Sequence, residues 1–238
     1  MPWIGDSRLL VRRGMTGATG NLYFGLHEFS EKVFLLHMLG RDDVLLDIGA
    51  NIGSFSVPAA RVCGARCHAF EPAPEPAHWL EANVAANRIG DRVTVHRVAL
   101  GNADGVVAFT KGLDSLNRVA TADEVQQEAP IRRPNDVIAG VNPTLVKIDV
   151  EGYEDEVFAG AEQKLADPSL LAVTTETLSA AAESRFKRLG FVRRYYDPFS
   201  RELLIDPPRW RDSNSLLVRD TADRLRHAWV MTVLGTRI

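Results

Sequence analysis

Short apolar runs alternate along the chain with longer stretches whose apolar positions recur at helical spacing. The runs predict buried strands and the stretches amphipathic helices, and their alternation predicts a parallel sheet with helices on both faces. The segment His27–Leu39 places Phe29, Val33 and Leu36 at helical spacing and predicts a packing helix. Strand Val44–Gly49 ends in a glycine turn, and a helix is expected to start near Ile52. Strand ARCHAFEP, helix Glu75–Arg88 and one strand over Val93–Leu100 follow. Gly105–Gly112 reads as an added strand, and Leu113–Asn142 as a surface loop holding one helix, TADEVQQEA. Strand Thr144–Gly152, helical EDEVFAGAEQKLA, strand Leu170–Glu176, helix SAAAESRFKRLG and strand FVRRYYDP continue the pattern. Ser213–Asp220 comes so soon afterwards that it should lie antiparallel beside FVRRYYDP. The expected fold is thus α/β, a seven-stranded, mostly parallel sheet with an antiparallel last strand. No repeat or linker divides the chain. Residues 1–40 read as an N-terminal helical extension packing on the core, 41–220 as one domain, and 221–238 as a helical tail.

Composition narrows the function. The 238 residues are 45% hydrophobic and 25% charged, with a net charge of −3, so no broad cationic face is expected and nucleic acid is disfavoured. No apolar run has the length of a signal peptide or a membrane span. The only cysteines, Cys63 and Cys67, lack the further Cys or His that a zinc site needs, and read as reduced thiols of a cytoplasmic protein. Metal: none is expected. The sequence is compatible with a homo-oligomer.

Chemistry concentrates at strand ends. In LLDIGANIGSF (Leu45–Phe55), Asp47 ends a strand and Gly49, Ala50, Asn51 and Gly53 form the turn into a helix, whose first N–H groups would make an anion site. The spacing is G-x-N-x-G. Asn51 would obstruct a pyrophosphate, whereas an amino-acid zwitterion needs less room, and a side chain at Gly49 would occupy that ligand's space. Glu71 ends the next strand 24 residues after Asp47, followed by Pro72, at the distance where an acid hydrogen-bonds ribose hydroxyls. Ala99, in the third strand end, could flank an adenine. Lys147, Asp149 and Glu151 alternate along an otherwise apolar strand end, which calls for partners or a ligand. The catalytic candidates are Asp149 and Glu176, expected at the carboxyl ends of adjacent strands. They suit either proton acceptance or a divalent cation, and the metal-independent reading is preferred.

DIGANIGSFS, FEP, VKIDVEGYEDEVFAGA and NSLLV, as an ordered set, resemble the FkbM family of methyltransferases over roughly residues 20 to 220. The resemblance implies a Rossmann-like class I methyltransferase fold, S-adenosyl-L-methionine as cofactor, and O-methylation of a hydroxyl on a small molecule or glycan. It implies cofactor contacts from Asp47, Gly49, Asn51, Gly53 and Glu71, and sets Tyr23 and Glu28 at comparable upstream positions. VTTET (Val173–Thr177) departs from it, since members more often carry an apolar strand there. IDPPRW resembles the motif of amino-group methyltransferases but lies between the last two strands, where Pro207 and Pro208 suit a turn. Two rivals are an NAD-dependent oxidoreductase, disfavoured by Asn51 and the antiparallel end of the sheet, and a non-catalytic nucleotide-binding module of the same fold.

Overall fold

A computed structural model describes residues 1–110 except 13–14, 16–19, 22 and 24, then 126–208, 214–219, 232–233 and 236–237. Helix α1 (Phe29–Met38) precedes strand β1 (Val44–Ile48). Helix α2 (Ser56–Arg61), β2 (Arg66–Phe70), α3 (Pro74–Asn87) and β3 (Val93–His96) follow. Next come β4 (Ala99–Leu100), β5 (Gly105–Thr110), β6 (Gln126–Arg132), α4 (Pro134–Val137), β7 (Leu145–Ile148), α5 (Glu154–Gly160) and α6 (Glu162–Ala166). Finally β8 (Ala172–Thr175), α7 (Ala180–Arg188), β9 (Val192–Asp197), β10 (Glu202–Leu204) and β11 (Ser215–Val218) complete the domain.

The main sheet runs β10-β9-β11-β8-β7-β1-β2-β3, with β3, β2, β1, β7 and β8 mutually parallel. Strand β11 inserts antiparallel between β8 and β9, as its short spacing from FVRRYYDP predicts. Strand β10, only three residues long, adds an eighth member through a hairpin with β9, where the sequence suggested seven. Both faces are covered, as expected where β1, β7 and β8 are buried along their whole length. Residues of α1, α2 and α3 pack on one face around Leu45, Cys67 and Leu216. Phe158 of α5 and Phe186 of α7 pack on the other around Leu46, Val146 and Val173.

Four expectations need correction. Val93–Leu100 is not one strand: β3 ends at His96, and β4 joins a separate three-stranded sheet, β4-β6-β5. The helix expected over TADEVQQEA is strand from Gln126 onward, its earlier residues lying outside those described. Pro130 biases Ala129 toward extended backbone, and β5 pairs six residues of that run. EDEVFAGAEQKLA forms two helices that meet at Ala161. The helix after the glycine turn starts at Ser56, four residues late, because hydrogen-bonded turns occupy 51–55. The segment 221–238 is described only at Thr232–Val233 and Thr236–Arg237, which pair antiparallel. Cys63 and Cys67 are free thiols; burial pushes Cys63 up to about 12 and Cys67 well above its ordinary value. Among the described residues no helix is long and apolar enough to cross a membrane.

Candidate active site

The glycine turn is fastened to the end of β2. Gly49 and Ala50 donate to the Phe70 carbonyl at 3.0 and 2.9 Å, and Gly53 donates to Ala50 at 2.8 Å. The Asn51 N–H donates to Glu71 Oε2 at 2.9 Å, and Glu71 Oε1 accepts from Ala73, across Pro72, at 2.9 Å. These donors are therefore spent inside the protein.

Acceptors are what it leaves over. Asp47 is fully buried; its Oδ2 accepts from Ser56 Oγ at 2.6 Å, while Oδ1 has no hydrogen-bond partner. Asn51 Oδ1 is likewise buried without one. Burial raises the Asp47 carboxyl against the pull of Lys147 and Ser56, and it raises Glu71 to about 7 against its two backbone N–H bonds. A buried acceptor without a donor is costly, so the site suits a ligand bearing N–H and O–H groups and positive charge. S-adenosylmethionine offers an ammonium, ribose hydroxyls and a sulfonium. Asp47, Asn51 and Glu71 fit it; a pyrophosphate would meet acids.

Gly49 has φ +79°, and a Cβ there would stand 1.8 Å from the Asp149 carbonyl oxygen. The backbone just past the end of β7 already forbids a side chain at that position. At Gly53, φ +90°, a Cβ would meet Leu80 at 2.7 Å.

Lys147 links this turn to the other carboxylates. Its Nζ donates to Asp149 Oδ2 at 3.0 Å and to the Gly49 carbonyl at 3.4 Å, and lies 4.9 Å from the Phe55 ring centre. Burial opposes its charge, yet Asp149, Asp47 and Glu28 together hold its pKa above the ordinary lysine value. Glu28, just before α1, pairs with fully buried Lys32 at 2.8 Å. Burial alone would raise Glu28, but Lys32 and Lys147 bring it down to about 2. The expected residue Glu28 thus joins the Lys147 network from more than a hundred residues away.

Asp149 and Glu176 end the neighbouring strands β7 and β8, as expected, and their N–H groups continue the ladder onto Ile48 and Ile148. Glu151 joins them: one carboxylate oxygen from each lies within 4.8 Å of the others. Glu151 is half-buried, and burial, then Glu176, Asp149 and Glu154, raise it to about 7. Burial, then the neighbouring Asp149 and Glu154 charges, also raise Glu176. Glu151 is the residue that sequence reasoning noted but did not place in the site; its left-handed φ of 53°, next to Gly152, marks the turn that turns it inward with the others. Glu154 accepts from the Val150 and Gly152 N–H groups and shapes this turn.

Ala99 does not join the cluster. It packs with Phe109, Ala129 and Ile131 in the small sheet. His37 and His96 are packed residues, as expected. Burial lowers both to about 4, His37 bonding Tyr196 at 2.5 Å and His96 stacking on Phe70. His27 lies 3.8 Å from Glu28. The threonines of VTTET also find uses: Thr175 Oγ1 donates to the Thr177 carbonyl at 2.9 Å, and Thr174 lines a recess beside α1.

Among known proteins, 31-O-demethyl-FK506 methyltransferase FkbM of Streptomyces tacrolimicus is 33% identical over 173 residues, 56% of this chain and 66% of that protein. Hexuronic acid methyltransferase AglP of Haloferax volcanii is 28% identical over 155 residues, 58% of each. A tRNA (guanine(37)-N(1))-methyltransferase of Drosophila melanogaster is 33% identical over 106 residues, 43% of this chain but 21% of that protein. The chain thus spans under two thirds of the length of each of these relatives. The pattern of the family described as Methyltransferase FkbM domain matches residues 47–196, from the buried acid of β1 to the buried tyrosine of β9. This match covers more than half of the chain, which therefore belongs to the FkbM methyltransferase domain family.

Proposed function

We propose that the protein transfers a methyl group from S-adenosylmethionine to a hydroxyl of a small molecule or glycan. The observation that carries this reading is the acceptor-rich turn, where Asp47 Oδ1 and Asn51 Oδ1 lie buried and unpaired beside Glu71. Two relatives support an oxygen acceptor by their names, one for a hydroxyl of FK506 and one for hexuronic acid.

When bound, S-adenosylmethionine supplies an electrophilic methyl group on a sulfonium. Asp47, Asn51 and Glu71 hold its polar groups, with Gly49, Ala50 and Gly53 shaping the turn. Asp149 lies where the turn, β7 and Lys147 meet, and its carboxylate accepts the acceptor hydroxyl's proton as the new bond forms. Lys147 fixes that carboxylate, and holding the hydroxyl in line contributes on the order of 7–11 kcal/mol. Glu151 and Glu176 can take the proton onward, since burial and then the neighbouring carboxylates raise both.

A second reading has its own observation. Three carboxylate oxygens within 4.8 Å of one another could hold a divalent cation that acidifies the hydroxyl. Chelation separates the two: loss of turnover with EDTA, restored by Mg²⁺ or Mn²⁺, means metal, and indifference means a proton acceptor. The cofactor assignment is tested by thermal shift. S-adenosylhomocysteine should raise the melting temperature and NAD should not; the reverse would make the chain an oxidoreductase.

A further inference from the structure

Helix α3 carries two buried amides one turn apart, Asn83 at 0% and Asn87 at 5% exposure. They stand with Ala77, Leu80 and Val84 on the buried side of the helix, where an amide without partners would be costly. Each makes three hydrogen bonds. Asn87 Oδ1 accepts from the Arg8 N–H at 2.7 Å, and its Nδ2 donates to the Arg8 carbonyl at 2.7 Å and to the Asn83 carbonyl at 2.8 Å. Asn83 Oδ1 accepts from the Leu10 N–H at 2.6 Å. Its Nδ2 donates to the Leu10 carbonyl at 3.4 Å and to the Ile52 carbonyl at 2.9 Å.

The two amides dock an N-terminal arm, residues 1–12, as a neighbouring strand would. Alternate residues of the arm, Arg8 and Leu10, each exchange an N–H and a carbonyl with one partner. The arm folds back on itself through the Pro2–Arg8 bridge and buries Ile4 and Leu9 in the core. Its Trp3 indole N–H donates to the Gly25 carbonyl at 2.6 Å. Arg12 pairs with Glu75 at the start of α3, and Asp6 with Arg61 of α2.

One bond separates the roles of the two amides. Asn87 bonds the arm and its own helix, whereas Asn83 also holds Ile52, inside the turn that we assign to the cofactor. The Leu10 N–H takes the Asn83 oxygen, which aims the NH2 group at the Ile52 carbonyl. That carbonyl belongs to the peptide unit entering Gly53, where Leu80 of the same helix already leaves no room for a Cβ. On the other side of Ile52 stands Asn51, in left-handed backbone at φ 49°. Its N–H holds Glu71, and its Oδ1 is buried without a partner. The groups that face the ligand therefore depend on a bond made behind them, and the arm orients the donor of that bond.

We propose that Asn83 is a positioning residue of the cofactor site and couples the N-terminal arm, which precedes the matched residues 47–196, to that site. The proposal rests on the methyltransferase reading of the turn.

The test uses the full chain with S-adenosylhomocysteine as the probe, its affinity read by calorimetry and the ligand-free stability by melting. Asn83→Leu and Asn87→Leu each remove one amide at nearly constant volume, so both should lower the melting temperature. S-adenosylhomocysteine should bind Asn83→Leu about tenfold more weakly, the loss of one good hydrogen bond, and Asn87→Leu within about twofold of the parent. A merely structural role would give the two variants the same affinity. NMR of the side-chain amides in the parent supplies a second readout that needs no variant to fold. Titration with S-adenosylhomocysteine should shift the Asn83 Nδ2 signals and leave those of Asn87 in place. Equal affinities in two folded variants, or Asn83 signals that do not move, would overturn the proposal. A parent protein that does not bind S-adenosylhomocysteine at all would remove the methyltransferase reading, and this proposal with it.

Discussion

The two halves of the site are built on different physical terms. The proposed cofactor half, Asp47 to Gly53 with Glu71, is largely buried, the N–H groups of Gly49, Ala50, Asn51 and Gly53 are bonded within the protein, and a Cβ at Gly49 or Gly53 would meet neighbouring backbone or side chains. The proposed acceptor half, Asp149 to Gly152 with Glu176, is half-open, and like charges crowd it against a single lysine. A close-packed turn can bind one ligand shape only, and substitution there disturbs folding and binding together. An open carboxylate cluster tolerates change in shape but not in charge. Substitution of its carboxylates should leave folding and cofactor affinity alone while removing turnover.

The largest expected effect tests the open half. Asp149→Asn keeps an oxygen for Lys147 but cannot take a proton, so turnover should fall roughly 10²–10⁴-fold, the span of a positioned acid or base. Cofactor affinity should be unchanged by calorimetry; a joint loss of both would place Asp149 in the cofactor half. Next comes Gly49→Ala. Its Cβ would press on the Asp149 carbonyl in a left-handed backbone, so urea unfolding should show a loss of about 3 kcal/mol or more. An unchanged midpoint would mean that β7 yields easily there.

Glu71 sharpens the contrast through pH. Burial raises its folded-state carboxyl to about 7 from an ordinary 4.5, so the neutral form is favoured in the fold. Between those values the unfolded chain binds fewer protons than the folded one, and the ligand-free protein should lose stability as pH rises from about 4.5 to 7. The ionised carboxylate is the better acceptor, so affinity for S-adenosylhomocysteine should rise with pH through the same window. Glu71→Ala should weaken it by about 1.5–3 kcal/mol. A flat profile in the parent and an unaffected Ala variant would reduce Glu71 to a strap on the turn. The smallest effect is at Gly152, whose φ of +93° resembles that of Gly49 but whose Cβ would meet nothing within 4 Å. Gly152→Ala should cost only the backbone strain, about 1–2 kcal/mol.

The halves also differ in how far the sequence discloses them. The turn, Glu71 and the ends of β7 and β8 are local patterns: an acid closing an apolar run, then glycine, at a fixed distance from the next acid. Helix and strand periods placed nearly every element of the main sheet for the same reason. What local pattern missed was set by tertiary pairing. Gln126–Arg132 becomes a strand because β5 lies beside it, and Val93–Leu100 divides because its second part pairs with β6 instead of β2. Nor does the sequence show that the Phe70 carbonyl and the Glu71 carboxylate accept from the N–H groups of Gly49, Ala50 and Asn51. Glu28, Lys32 and Lys147 form one charge network from two distant segments, which no spacing rule reveals. Asn83 reads as one more polar residue of a helix, yet its amide joins Leu10 to Ile52.

The most direct test of the account is a crystal structure with S-adenosylhomocysteine soaked in or co-crystallised. The ribose hydroxyls should lie within about 3.2 Å of Glu71, and a donor of the ligand or an ordered water should complete Asp47 Oδ1 and Asn51 Oδ1. Density for the nucleoside elsewhere, with both oxygens still unpaired, would contradict the claim that this turn is built to receive it.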